Sequence, residues 1–159
     1  LTVSDTRTEQ TDGSGSLIRR LLVEHGHEVV DYRIVPDEPT QITEAFRSWT
    51  TEGDVQAILS NGGTGIARRD TTFDVVSALL EKRLDGFGEL FRMLSYAEIG
   101  AAAMMSRAVG GTLHGRAVFV LPGSSNAVAL AMERLILPEL PHVVHELSKH
   151  DPPSTAEGR

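Results

Sequence analysis

The sequence contains no cysteine in its 159 residues, which excludes disulfides, thiolate metal sites and cysteine nucleophiles. Aromatic residues make up only 5% of it, which argues against a surface that stacks nucleic acid bases. No apolar run reaches the roughly 18 residues that a membrane-spanning helix needs. Basic residues are outnumbered, with 15 Lys and Arg against 22 Asp and Glu, and the net charge of -7 disfavours nucleic acid and anionic lipid as partners.

No signal peptide is visible in the sequence, and the lack of cysteine is compatible with a reducing compartment. We therefore expect a cytoplasmic protein. The first residues, Leu1-Thr2-Val3, resemble the end of a strand, so we expect further residues before Leu1 in the natural chain.

The apolar residues form short runs that alternate with longer amphipathic segments, which is typical of βαβ units around a largely parallel sheet. The length suits one domain, which we assign to residues 1–150, with a flexible C-terminal tail at 151–159. Strands are expected at 1–4, 28–35, 55–60, Val109–Leu113 and Arg116–Leu121. Helices are expected at about 17–25, 40–49, 72–80, 87–95, 99–107, 127–137 and 140–149, and residues 5–16 are expected to form a loop.

The segment Gly62-Gly63-Thr64-Gly65, here called the glycine loop, follows the strand expected at 55–60. Glycine tolerates a positive φ and lets a ligand approach the backbone closely, and several N–H groups that face one concavity bind anions. A tight structural turn is the alternative, but three glycines in four residues exceed what a turn needs, so binding is favoured. Neither Gly-Lys-Ser/Thr nor Gly-x-Gly-x-x-Gly is present here, which excludes a Walker motif and a Rossmann fingerprint.

Acidic residues follow the glycine loop and the first two strands. Asp70 lies beside Arg68 and Arg69, where its carboxylate could hold Mg²⁺ and the arginines could neutralise phosphate. Alternatively, Asp70 only stabilises the helix that follows, because a negative charge is favourable near the start of a helix, and the sequence supports both interpretations equally. Asp37, which lies between two prolines, and Asp5 are each either a metal ligand or only a turn residue.

The carboxyl ends of parallel strands meet at one edge of a sheet, where α/β proteins bind their ligands. If the first, second, third and last strands are parallel, Asp5, Asp37, the glycine loop and Asp70 share this edge. So does the segment Pro122-Gly123-Ser124-Ser125-Asn126, here called the proline loop. Because the proline loop precedes a helix, its N–H groups and hydroxyls either bind a second anion or only cap that helix.

Four motifs together resemble the molybdopterin-binding family. The first runs from the glycine loop through Ile66-Ala67-Arg68-Arg69-Asp70-Thr71-Thr72, and the others are Val3-Ser4-Asp5-Thr6-Arg7, Gly86-Phe87-Gly88-Glu89-Leu90-Phe91-Arg92-Met93-Leu94-Ser95 and Leu121-Pro122-Gly123-Ser124. The resemblance extends from residue 1 to about 147. The third motif, continued by Tyr96-Ala97-Glu98-Ile99-Gly100, is most similar to the molybdenum cofactor biosynthesis protein B branch.

The resemblance implies a three-layer α/β sandwich that assembles into homotrimers or homohexamers. It also implies adenylylation of molybdopterin by ATP in the presence of Mg²⁺, with Asp70 and Asp37 as catalytic carboxylates and Mg²⁺ ligands. Substrate and nucleotide are expected to contact positions in or beside the family motifs, namely Ser4, Asp5, Gly62, Gly63, Thr64, Gly65, Arg69, Pro122, Gly123 and Ser124. The alternative is a non-catalytic carrier or scaffold that binds molybdopterin or nucleotide without turning it over.

Overall fold

The computed structural model describes residues 1–51 and 54–149. Within these residues a six-stranded sheet has the strand order β2-β1-β3-β6-β5-β4. The strands are β1 (Thr2–Val3), β2 (Ile34–Val35), β3 (Ala57–Asn61), β4 (Lys82–Arg83), β5 (Val109–Leu113) and β6 (Arg116–Leu121). β2, β1, β3 and β6 run parallel to one another, whereas β5 and β4 are antiparallel to their neighbours. The predicted, largely parallel sheet is therefore confirmed.

Helices connect the strands and cover both faces of the sheet. They are α1 (Gly13–Glu24), α2 (Pro39–Thr51), α3 (Thr72–Leu79), α4 (Asp85–Ile99), α5 (Ser125–Ala131) and α6 (Leu137–Ser148). A 3₁₀ helix, Gly100–Met105, follows α4, and a π-helical segment, Met132–Ile136, joins α5 to α6. Within the described ranges, no helix is long and apolar enough to cross a membrane.

The core lies on both faces of the sheet because successive side chains of β6 point in opposite directions. Phe119 and Leu121 pack against residues of α1, α4, α5 and α6 on one face. Val118 and Val120 pack against residues of α2 and α3 on the other. A central sheet between two helical layers is a three-layer α/β sandwich, which confirms the expected fold.

The hairpin of β5 and β6 has the bounds predicted from the sequence. His114 and Gly115 form its turn with φ of 46° and 74°. Two central residues with positive φ match the twist of the flanking strands, as in a type I′ turn. This local geometry explains why the short His-Gly segment was sufficient to locate the turn.

The strand predicted at 28–35 is wrong over most of its length, since only Ile34–Val35 pairs as β2. Its neighbour β1 is two residues long and reaches back only to Arg33, whose carbonyl accepts from Thr2 N at 2.9 Å, so residues 28–32 have no strand beside them in the described part of the sheet. Side-chain contacts hold this segment instead. The Tyr32 hydroxyl donates to Asp12, and Trp49 Nε1 donates to Asp31 at 2.7 Å.

Two further expectations need correction. Residues 5–16 are not all loop, because α1 begins at Gly13 with Asp12 as its N-cap, a signal hidden within a stretch that reads as polar loop. The helix predicted at 99–107 is replaced by the end of α4 and the 3₁₀ helix, since Gly100 interrupts the α-helix with φ of 62°. β4 was not predicted, because its two residues are charged and exposed.

The remaining predicted bounds hold to within a few residues at each end. The predicted helices at 127–137 and 140–149 correspond to the continuous helical run from α5 through the π-helical segment to α6. Residue 150 and the predicted tail at 151–159 lie outside the described residues, so the domain limit stays a prediction.

Candidate functional site

The carboxyl ends of β2, β1, β3 and β6 lie side by side, because these strands are adjacent and parallel. The segments that follow them meet at this edge. Asp37 N donates to Asp5 Oδ1 at 3.0 Å, which joins the segments after β2 and β1. Gly62 N donates to Leu121 O at 3.1 Å, which joins the glycine loop to the end of β6. The structure confirms the shared edge that was predicted from the sequence. This result concerns the positions of the segments and not the chemical role of each residue.

The glycine loop needs glycine at its first two positions. Gly62 and Gly63 have φ of 96° and 62°, in the left-handed region that side chains disfavour. A Cβ on Gly62 would lie 2.2 Å from Val3 O, and one on Gly63 would lie 2.2 Å from Asp37 Oδ2. The chain therefore turns sharply immediately after β3, in contact with Val3 of β1 and with Asp37 after β2. Gly62 N is taken by Leu121 O, and turns of this kind present their further backbone N–H groups to anions.

Asp37 is buried behind the glycine loop, with 5% of its surface exposed. Its Oδ1 accepts hydrogen bonds from Thr71 N at 3.0 Å and from Thr71 Oγ1 at 2.5 Å. Thr72, the first residue of α3, donates its N–H to Gly63 O at 3.0 Å. Its buried Oγ1 lies beside Gly63 and has no hydrogen-bond partner among the described residues. Asp37 and Thr72 thus fix the start of α3 against the glycine loop.

Asp70 lies on the open side of the glycine loop. It lines a cavity of about 400 Å³ with this loop, whereas Asp37 and Asp5 do not line it. Asp70 Oδ2 accepts a hydrogen bond from Ala67 N at 3.1 Å and packs against Gly65, where a Cβ would lie 2.5 Å from the same oxygen. Among the carboxylates predicted for the site, Asp70 is therefore the one placed to meet a ligand.

Both predicted loops line this cavity, together with residues that the sequence did not suggest. The lining residues are Gly62, Gly63, Thr64, Gly65, Asp70, Ala102, Met105, Ser106, Pro122 and Gly123. Ala102 and Met105 belong to the 3₁₀ helix, and Ser106 follows it. No motif marks these small and apolar residues as site residues, and only the path of the chain brings them to the glycine loop.

Arg69 joins three segments at the edge of the sheet. Its Nε and Nη2 donate to Asp5 Oδ2 and Oδ1 at 2.8 and 2.9 Å, and its Nη1 donates to Glu38 Oε1 at 2.6 Å. The hydrogen bond from Arg69 and that from the Asp37 N–H lower the pKa of Asp5 from 3.8 to about 2. The same carboxylates raise the pKa of Arg69. The cation predicted to meet phosphate is thus already engaged by two carboxylates.

Two serines predicted to bind ligand have local partners. Ser4 Oγ accepts from Thr6 N at 3.3 Å and from Arg7 N at 3.2 Å, which shapes the turn after β1. Ser124 Oγ accepts from Ala127 N at 3.3 Å and caps α5. Helix capping was the alternative function considered for the proline loop, and Ser124 does cap a helix. Pro122 and Gly123 of the same loop line the cavity instead.

The N-terminus of α1 supports the proline loop, which the sequence did not suggest. Ser14 Oγ donates to Gly123 O at 2.8 Å.

Asp12, the N-cap of α1, is held by a network of hydrogen bonds. It accepts from Gly15 N at 2.9 Å, from Thr2 Oγ1 at 2.5 Å and from the Tyr32 hydroxyl. Burial acts to raise the pKa of Asp12, but these hydrogen bonds outweigh it and lower the pKa. Burial, with the hydrogen bond to Asp12, raises the pKa of Tyr32 to about 12.

The carboxylates do not form a self-sufficient metal site. Within residues 1–51 and 54–149, no group of three or more His, Asp or Glu side chains is arranged to hold a metal ion. Mg²⁺ is usually held by one or two carboxylates together with substrate phosphates and water. Asp70 is the predicted carboxylate that lines the cavity, so it is the one placed to take part in such an arrangement.

Comparison with known proteins identifies the family to which this chain belongs. Residues 1–142 match the family described as "Probable molybdopterin binding domain". The molybdenum cofactor biosynthesis protein B of Bacillus cereus is 55% identical over 150 residues, which cover 94% of this chain and 89% of that protein. This chain belongs to the molybdenum cofactor biosynthesis protein B family. The membership confirms the resemblance carried by the glycine loop and its companion motifs.

Solved structures of the protein B family agree with the fold. A crystal structure of molybdenum cofactor biosynthesis protein B is similar with a TM-score of 0.91 and 56% identity, over 93% of this chain and 92% of that chain. The tungsten cofactor synthesizing protein MoaB from Pyrococcus furiosus has a TM-score of 0.83 and 38% identity, over 92% of each chain.

Proposed function

We propose that this chain binds molybdopterin and adenylylates it with ATP and Mg²⁺. The observation that carries the proposal is the cavity of about 400 Å³ that the glycine loop, the proline loop and Asp70 line together. Membership of the protein B family supports molybdopterin as the substrate. The volume lies within the range of about 300–1,000 Å³ that is usual for small-molecule sites.

The proposed reaction needs alignment and charge neutralisation more than covalent help. An oxygen of the molybdopterin phosphate attacks the α-phosphorus of ATP, and a new P–O–P bond forms as the bond to the leaving pyrophosphate breaks. No proton has to be removed from an ionised phosphate. Amide groups of the glycine loop would bind the nucleotide phosphates, and the proline loop would hold the pterin side.

The residues present are compatible with Mg²⁺ that arrives with the nucleotide. Asp70 is partly exposed at the cavity, so we assign its carboxylate to Mg²⁺, which would neutralise phosphate charge when bound. Asp37 was predicted as a second ligand, and its Oδ2 faces Gly63 while Thr71 occupies Oδ1. These contacts favour a role for Asp37 in positioning the loop.

The test is single-turnover transfer of the adenylyl group from ATP to molybdopterin. Asp70→Asn should slow the transfer by about 100-fold or more, because it removes a charge from the reacting site. Its melting temperature should match that of the parent. Asp85→Asn is the matched control, since Asp85 is exposed in α4, pairs with Arg83 and does not line the cavity. An Asp70→Asn variant as fast as the parent would refute the metal assignment.

A carrier without catalysis is the second candidate, and one observation favours it. Among the described residues, no lysine or arginine lines the cavity, and Arg69 is held by Asp5 and Glu38. A carrier would bind molybdopterin in calorimetry with the same affinity with and without Mg²⁺, and it would release no pyrophosphate from ATP. Pyrophosphate release that depends on molybdopterin would exclude the carrier.

We also propose that the chain assembles with copies of itself, as a homotrimer or homohexamer. Apolar side chains lie exposed at every third position of α4 and continue into the 3₁₀ helix, at Leu90, Met93, Tyr96, Ile99, Met104 and Met105. Such a patch on a soluble domain is typical of an interface. Sedimentation should show an oligomer for the parent and for Val23→Glu, an exposed α1 control, and monomers for Met93→Glu. A monomeric parent would refute this proposal.

A further inference from the structure

Arg107 lies between the 3₁₀ helix and β5, immediately after Ser106, which lines the cavity. The sequence placed it at the end of a helix and assigned it no role. Its side chain is 24% exposed and has partners on three sides. Nη1 donates to Gly65 O at 3.1 Å, Nη2 pairs with Asp74 Oδ1 at 2.5 Å, and the guanidinium lies 4.1 Å from the centre of the Phe73 ring.

These contacts fix Arg107 at one place on the protein. Phe73 and Asp74 both belong to the first turn of α3, so the guanidinium is anchored to a rigid element. A planar guanidinium that stacks on a ring and forms a fork of hydrogen bonds has few alternative positions. Its remaining contact, Gly65 O, lies in the glycine loop, which has no regular secondary structure of its own.

The hydrogen bond to Gly65 O sets the orientation of a peptide group in the site. Because the peptide bond is planar and trans, the N–H of Ile66 points away from the carbonyl that Arg107 holds. The Ala67 N–H is held in turn by Asp70 Oδ2. Arg107 and Asp70 thus restrain two neighbouring peptide groups of the same segment, Arg107 through the Gly65 carbonyl and Asp70 through the Ala67 N–H.

We propose that Arg107 is a positioning residue that fixes the Gly65–Ile66 peptide, so that the glycine loop is arranged for a polyphosphate before the ligand binds. The proposal rests on the proposed function of the glycine loop as the nucleotide-phosphate site. Preorganisation lowers the entropic cost of binding, so losing it weakens affinity more than it slows the chemical step.

The first test follows amide hydrogen exchange in the ligand-free protein and does not depend on any activity. Arg107→Gln should speed exchange about tenfold at the hydrogen-bonded amides of the segment 63–70, Ala67 and Asp70, and leave β5 and β6 unchanged, because one hydrogen bond from a charged donor is lost. Phe73→Leu, which removes the ring under the guanidinium, should give a smaller effect in the same segment. Arg20→Gln, which changes an exposed arginine paired with Glu24, is the control for charge and should have no effect there.

The second test is ATP binding and turnover. Arg107→Gln should raise the Kd and KM for ATP by about tenfold with a smaller change in kcat, and Arg107→Lys, which keeps the charge and one donor, should recover part of the affinity. Unchanged exchange in residues 63–70 of Arg107→Gln would overturn the proposal, as would a general loss of stability with no local effect. If the parent binds no ATP, the proposed function fails, while the exchange result still decides the role of Arg107.

Discussion

Arg69 and Asp5 form a bidentate ion pair, with Nε and Nη2 at 2.8 and 2.9 Å from the two carboxylate oxygens. The two residues lie 64 positions apart in the chain, and the pair joins the segment after the glycine loop to the segment after β1. A sequence reading that places a cation next to Asp70 suggests a phosphate contact. The geometry shows that Arg69 holds the edge of the sheet together, and its contact with phosphate stays a prediction.

Asp5→Asn should therefore weaken ATP binding without unfolding the protein. The substitution removes the charge that holds Arg69, so the segment between the glycine loop and α3 becomes more mobile and affinity should fall several-fold. Exposed ion pairs contribute little to global stability, so the melting temperature should change by only a few degrees. Calorimetry and thermal unfolding measure the two effects, and Glu24→Gln, which breaks the exposed pair with Arg20, is the matched control. Equal ATP affinity in Asp5→Asn and the parent would contradict the role of the pair.

The Asp5–Arg69 pair should also respond to acid in a defined range. The folded chain lowers the pKa of Asp5 from 3.8 to about 2, so Asp5 holds a proton more readily in the unfolded chain. Its contribution to stability is complete above 3.8 and is lost as the pH falls toward about 2. The difference in melting temperature between the parent and Asp5→Asn should be constant from about pH 5 to about pH 8 and should shrink below about pH 4. A difference that changed near neutral pH would assign the effect to another group.

Much of the fold could be predicted because local patterns determine it. β5 and β6 are buried strands joined by a two-residue turn that needs positive φ, and both signals lie between Val109 and Leu121 in the sequence. The glycine loop could be recognised for the same reason. Residues 28–32 have the pattern of a strand, but a strand also needs a neighbour, and β1 is too short to supply one.

The parts of the site that sequence did not reveal depend on contacts between distant segments. Ser14 reaches Gly123 across 109 positions, and Arg107 reaches Gly65 across 42. Neither Ser14 nor Arg107 belongs to a motif with a known chemical purpose. The sequence likewise could not separate Asp37 from Asp70, since only the fold places one carboxylate behind the glycine loop and the other at the cavity.

Gly63→Ala should destabilise the protein strongly and abolish nucleotide binding. The added Cβ would lie 2.1 Å from Thr72 Oγ1 and 2.2 Å from Asp37 Oδ2, both attached to buried residues, at a φ of 62°. Strain and overlap together should lower the free energy of unfolding by about 3 kcal/mol or more. Gly26→Ala is the control, because Gly26 has φ of 80° but nothing within 4 Å of the added atom.

Urea unfolding distinguishes these two glycine variants. Gly26→Ala should lose only about 1 kcal/mol in the free energy of unfolding, because alanine at a positive φ is strained but meets no neighbouring atom. This variant should bind ATP like the parent. If Gly63→Ala lost no more stability than Gly26→Ala, the glycine loop would have room to move away from Asp37, and the tight packing behind the loop would be disproved.

Asp37→Ala and Asp70→Ala should separate the two carboxylates by their effects on stability. Asp37→Ala leaves Thr71 N and Thr71 Oγ1 without their buried acceptor, so it should cost about 1–3 kcal/mol in the free energy of unfolding. Asp70→Ala loses one hydrogen bond, to Ala67 N, at a position that water can reach, and should cost less than about 1 kcal/mol. Urea unfolding measures both values.

The Mg²⁺ dependence of ATP binding then decides which carboxylate meets the metal. Asp70→Ala should bind ATP with nearly the same affinity with and without Mg²⁺, because it removes the carboxylate that lines the cavity. Asp37→Ala should bind ATP more weakly in both conditions but keep the stimulation by Mg²⁺, since its effect is on the shape of the glycine loop. The opposite pattern, with Mg²⁺ stimulation lost only in a fully stable Asp37→Ala, would place the metal on Asp37 and leave Asp70 as a residue that stabilises the start of α3.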